Sequence, residues 1–241
     1  MLFLASLIGT VLFVLLFRKA LKKVPIVFYL VALALVGAYV YLFLSGGPWP
    51  FSRDVLLLVQ RCTVSLAFFT LVMFAGVFPD DSPIRGLLIP LRRELSILGA
   101  IFASGHVIVY AVNFLPRLFS GSIFARSDLA TSIILASLLT AVLIVLTITS
   151  FVWVRKLMKP ESWKRVQLLA YPFFALVYVH LAFILIPAVL AGSTALTLNL
   201  AIYTLLFASY LVLRIRRALA SSTNKAQQAK MPTATQSPEL V

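Results

Sequence analysis

The sequence predicts an all-α integral membrane protein, a bundle of about seven transmembrane helices, and three observations carry that expectation. The chain has 241 residues, 62% of them hydrophobic and 12% charged, with a mean hydropathy of +1.06. A soluble domain, with a surface to cover, is nearer half apolar and a quarter charged. Apolar stretches recur along the chain, each about 20 residues long, the length that crosses a bilayer as a helix. The formal net charge of +14 is gathered in short segments between those stretches. Bases placed that way read as topology signals and not as a nucleic-acid surface, so no nucleic-acid partner is expected.

The spans fall at about Met1–Phe17, Pro25–Leu44, Val55–Phe78, Leu95–Leu115, Leu129–Trp153, Val166–Leu190 and Ser193–Leu213. The first is short, and its bases (Arg18, Lys19, Lys22, Lys23) follow it instead of preceding it. That order is expected of a retained N-terminal anchor and not of a signal peptide. Residues 1–45 thus form a two-helix membrane segment and residues 50–217 the core of the bundle. The odd-numbered loops and the tail carry most of the Lys and Arg, while the even loops hold only Arg53, Arg117 and Arg126. The excess places the N-terminus outside and the C-terminus in the cytoplasm. The tail, residues 218–241, is rich in Ser, Thr, Gln, Ala and Lys and lacks aromatics, a composition expected to be disordered.

Ionisable groups inside hydrocarbon are costly and mark function. No Asp or Glu lies mid-span, Asp54 and Glu94 being at edges, which argues against an ion-coupled transporter. What remains is His106 in the fourth span and His180 in the sixth, the only histidines of the chain. Both spans start from the same side, which puts the imidazoles roughly 16 and 21 Å along their helices at 1.5 Å per residue. Two neutral nitrogens at similar depth on two parallel helices suit the axial positions of a haem iron. Ala103, Ser104 and Gly105 precede His106 and would let a flat macrocycle approach, and Tyr110 lies one turn on, on the same face. The alternative is that each imidazole bonds a hydroxyl or carbonyl across a helix interface. Zinc is disfavoured, since no third or fourth ligand is at hand. The single cysteine, Cys62, excludes an internal disulfide and reads as a small apolar residue.

These residues resemble a known family. Arg92-Arg93-Glu94-Leu95 followed by His106 and Tyr110 looks like the first haem helix of the ferric reductase-like transmembrane domain. Thr149-Ser150, Arg155-Lys156, Trp163, Arg165, Leu168, Tyr171 and His180 are similar to the loop and second haem helix. Within the family the likeness is to the haem-binding membrane subunit of the bacterial methionine sulfoxide reductase system. The resemblance covers about residues 60–190. It implies one b-type haem, with His106 and His180 as its ligands on the outer side, and transmembrane electron transfer at the plasma (inner) membrane. Family members often hold a second, inner haem. Its histidine on the second helix would fall four residues after Trp163, where this chain has Gln167, and its partner near Arg92. Both positions hold non-ligands.

The function expected is therefore electron transfer through one haem b, by an oxidoreductase subunit that works with a separate donor and acceptor. The alternative is a haem-free membrane subunit that keeps the fold for assembly or interaction. No catalytic side chain is assigned. The chain shows no GxGxxG and no P-loop, so electrons come from a quinol, a bound flavin or a partner protein. Arg117 and Arg126 on the outer side read either as partners of the haem propionates or as ordinary loop cations. The basic stretch Arg155–Arg165 reads either as a donor-docking loop or as positive-inside charge, and Trp163 and Tyr171 as an interface belt.

Overall fold

The computed structural model describes residues 2–46, 53–121 and 127–230, and among these the regular structure is helical throughout. The helices are α1 (Leu2–Lys23), α2 (Pro25–Ser45), α3 (Arg53–Gln60), α4 (Thr63–Phe74), α5 (Pro83–Leu88), α6 (Arg92–Phe119), α7 (Ser127–Ile148), α8 (Val152–Leu157), α9 (Pro160–Gln167), α10 (Ala170–Leu190) and α11 (Thr194–Lys230), with a 3-10 turn at Ile89–Leu91 before α6. Six helical stretches are long and apolar enough to cross a membrane. They correspond to six of the seven expected spans.

The expected third span, Val55–Phe78, is corrected. It is two helices, α3 and α4, interrupted at Arg61–Cys62, where Cys62 adopts the left-handed conformation at φ +57. Neither half is long enough to span by itself. The ends of other elements move as well. The first span is a full 22-residue helix, because Lys22 and Lys23 close its last turn, where cations complement the helix dipole. Pro25 then sits at the first position of α2, where its missing N–H costs nothing. Where a disordered tail is expected, residues 218–230 continue α11 to Lys230. Ala, Lys and Gln dominate there and are strong helix formers, so an established helix propagates through them. Residues 231–241 lie outside the described residues.

Of the helices long enough to span, α6 is the best buried; it packs on α2 and α4, while α10 packs on α7 and α11. One core cluster joins Val14 and Leu21 to Phe68, Leu91, Leu95 and Leu98. The other is aromatic: Phe174 meets Phe207 at 4.5 Å and Tyr210 at 5.0 Å between ring centroids. α4 approaches α6 closely because Gly99 has no side chain. A Cβ there would stand 2.9 Å from the Phe69 ring, and the Ser65 hydroxyl donates to the Gly99 carbonyl at 2.7 Å. Small residues are the usual means of close helix approach in a bilayer, where burial against lipid gives no hydrophobic gain. The outward faces stay apolar and exposed, as with Ile8 and Leu16 of α1.

A polar clasp ties the far end of α11 to the segment before α5. Asp80 accepts from Arg217 and pairs with Arg85 at 3.1 Å. The Arg217 hydrogen bond, backed by the charges of Arg217 and Arg85, holds this carboxyl below the ordinary aspartate range. A depressed carboxyl contributes above its unfolded value and loses that contribution as pH falls through the folded one. The clasp should therefore hold at neutral pH and open only in acid. Because Asp80 is exposed, salt at about 1 M should also loosen it. Asp80→Asn at neutral pH should speed tryptic cleavage at Arg216 and Arg217, and an unchanged cleavage rate would count against the clasp.

Candidate functional site

His106 lies fourteen residues after the start of α6 and His180 ten residues after the start of α10. The two helices are not among the closely packed pairs, α6 leaning on α2 and α4 and α10 on α7 and α11. The chain's only histidines are thus 74 positions apart in sequence, on two helices that pack on different partners.

The interrupted third span meets this region. His106 Nδ1 lies 2.6 Å from the backbone carbonyl oxygen of Gln60, the last residue of α3. A carbonyl only accepts, so Nδ1 carries the proton and Nε2 keeps its lone pair. This is the arrangement found at metal-ligating histidines, which donate the other ring N–H to a carbonyl or carboxylate. Tyr110 packs on the imidazole with ring centroids 4.6 Å apart, and Phe114 stacks beyond it at 6.0 Å. His180 differs: its Nδ1 is buried with no hydrogen-bond partner among the described residues. A buried imidazole nitrogen without a partner is unusual. Ligation through the other nitrogen would repay it in part by fixing the ring. The described residues hold no group of three or more His, Cys, Asp or Glu that could hold a metal ion. Two imidazoles are the residue types that would serve as axial ligands of a haem, and they are too few for tetrahedral zinc.

The structure does not bring Arg117 to the histidines. It is eleven residues beyond His106 on the same helix, about 16 Å along the axis, and its guanidinium rests over the Phe114 ring at 5.7 Å. Arg126 lies outside the described residues. Gln60 is the residue that sequence reasoning missed. The available signal was the polar run Gln60-Arg61-Cys62-Thr63 inside an otherwise apolar segment.

Nearer the start of α6, a cavity opens between α4, α6, α7 and the α9–α10 junction. Arg92 and Gln167 both line it, with Ser96, Ser150, Phe69 and Phe173. Its free volume suits a few water molecules and not a macrocycle. Gln167 is engaged elsewhere, its Nε2 donating to Thr149 Oγ1 at 2.9 Å, and the Trp163 indole N–H donates to the Thr149 carbonyl at 2.9 Å. Arg155 stands over the Trp163 ring at 4.6 Å, and Arg214 over Tyr171 at 4.8 Å. The segment between α7 and α10 is thus pinned through Trp163, and Arg155 is partly committed to that packing.

Comparison with known proteins places the region in context. The family model described as "Ferric reductase like transmembrane component" matches residues 61–178, which begins at the helix interruption, includes His106 and stops two residues before His180. An uncharacterized protein of Treponema pallidum (strain Nichols) is 37% identical over 220 residues, covering 89% of this chain and 60% of that protein. The chain therefore spans about 60% of the length of that curated relative. No solved structure matches the chain.

Proposed function

We propose, on the premise that residues 61–178 are a ferric reductase-like transmembrane domain, that this chain passes single electrons across the membrane through one b-type haem held by His106 and His180. A membrane redox role follows from the domain; the two ligands, the single haem and the direction are the proposal. The observation that carries it is the hydrogen bond from His106 Nδ1 to the Gln60 carbonyl. It leaves Nε2 as the free nitrogen of that ring. Held by these two imidazoles, such a haem would supply one-electron exchange and would offer oxygen no binding site.

The residues around the pair supply the rest. His106 is oriented by a backbone group that side-chain substitution cannot remove, and Tyr110 closes one side of its ring. The apolar helices keep water away, which favours reversible electron exchange over side reactions of the iron. The charge asymmetry of the loops supports an N-terminus outside and a C-terminus in the cytoplasm of a bacterial plasma membrane. Electrons would then enter from a quinol, a flavin or a partner protein on the basic side and leave outward to a separate acceptor.

A reduced-minus-oxidised spectrum of the purified chain, expressed with haem supplied, tests this. A low-spin b-type α-band at one haem per chain is expected. Protein that folds and stays haem-free would overturn the proposal and favour an assembly or interaction role.

A further inference from the structure

The third span breaks in mid-segment without a glycine or a proline. Cys62 occupies a left-handed conformation that only Gly visits freely, so something outside the local sequence must hold it. The hydrogen bonds at the break show what that is. In a continuous helix the Gln60 carbonyl would accept the amide of Val64. Here the carbonyls just before it are already taken. Leu57 O accepts from the Arg61 amide at 2.9 Å, Val59 O from the Cys62 amide at 2.9 Å, and Leu58 O from the Thr63 hydroxyl at 3.1 Å. That leaves Gln60 O, and His106 Nδ1 takes it. Each of these oxygens needs a partner, because hydrocarbon offers none.

Two further contacts hold the break in place. Thr63 also shares a buried 2.8 Å hydrogen bond with Ser6 of α1. Gly105, next to His106, lets α6 approach α3. A Cβ at Gly105 would lie 3.1 Å from Val59 Cγ1 and 3.0 Å from Val36 Cγ1, too tight without displacement. Val59 precedes Gln60, so any displacement moves the carbonyl that His106 uses.

We propose that the break at Arg61–Cys62 is a positioning device for His106. It frees one backbone carbonyl at the depth of the imidazole, fixes the Nδ1–H tautomer, and leaves Nε2 as the ligating atom before any haem is present. Thr63 and Gly105 are the positioning residues, Thr63 by bracing the break and Gly105 by setting the distance between α3 and α6. The tautomer part stands independently of haem; the effect on the iron rests on His106 being a ligand.

The test is nitrogen NMR of the full chain, labelled at its histidine rings, in lipid bilayers with and without haem. With two histidines in the chain, His180→Gln suffices for assignment. The haem-free wild type should hold the His106 proton on Nδ1. Gly105→Ala should move population to the Nε2–H form, and Thr63→Val should do the same by loosening the break without touching the α3–α6 contact. After haem is added, both variants should show a more positive midpoint potential, because a weaker Nδ1–H bond makes the imidazole a poorer electron donor. An Nε2–H wild type, or folded variants with the wild-type tautomer, would overturn the proposal. Protein that shows the Nδ1–H tautomer but takes up no haem would instead overturn the ligand reading and leave the positioning intact.

Discussion

His106→Ala and His180→Ala should each abolish the low-spin b-type absorption, yet the two variants should differ in the stability of the haem-free protein. His106 is a donor in the folded chain, and its removal strands the Gln60 carbonyl next to apolar surroundings. Leaving a buried acceptor unpaired costs about 1–3 kcal/mol, and water cannot readily reach a group inside a bilayer. The same truncation removes the ring on which Tyr110 packs. His180 holds no such bond; its buried Nδ1 is already without a partner among the described residues. Deleting it removes an uncompensated polar atom, so the loss of packing is offset. Thermal unfolding of the haem-free proteins should therefore rank His106→Ala below both wild type and His180→Ala. With haem supplied, wild type alone should gain stability, since a ligand that binds only the folded state adds to it by mass action. Equal destabilisation of the two haem-free variants would remove the distinction between the histidines. A retained α-band in either variant would remove that residue from the ligand pair.

The spans that sequence made legible are those whose signal is local. Hydrophobic length alone places α1, α2, α6, α7, α10 and α11, because a lipid-facing helix is apolar along its whole extent. The ends were less legible. Arg92 and Arg93 read as loop residues, yet they open α6, since a helix continues past the bilayer wherever its backbone bonds can be made. The stretch Arg155–Arg165 read as a basic loop, yet it lies within α8 and α9, folded about Trp163, whose anchor on the Thr149 carbonyl is a tertiary contact. The break at Arg61–Cys62 was hidden for the same reason. Its causes are Ser6 on α1, Gly105 and His106 on α6, and the His106 bond closes across 46 residues. The histidines were legible because ionisable groups are scarce in hydrocarbon. Which nitrogen each would use was not, because a tautomer is set by a neighbour that sequence spacing does not place.

Gln167→His should leave the chain at one haem, although it puts an imidazole where the resemblance to the ferric reductase-like family implies one. A second haem needs two ligands, and the facing position holds Arg92. A guanidinium stays protonated and has no lone pair to give, so a lone imidazole at 167 would offer one ligand without its partner. The cavity that Arg92 and Gln167 share has free volume for a few waters, walled by Phe69 and Phe173, which a macrocycle would have to displace. The Gln167 amide does structural work instead, bonding Thr149 Oγ1 and joining α9 to the end of α7. Gln167→Ala should accordingly lower stability by about 0.5–1.5 kcal/mol, the net worth of one such hydrogen bond, with the haem content unchanged. Haem-to-chain ratios of wild type, Gln167→His and Gln167→Ala measure both effects in one series. Two haems in wild type would refute the reading of Arg92 and Gln167 as non-ligands. Two in Gln167→His alone would show that a partner other than Arg92 completes the inner site. If all three variants hold one haem and only the stability of Gln167→Ala falls, the two positions are a structural junction, and electrons must reach the His106–His180 pair from a donor that is not a second haem of this chain.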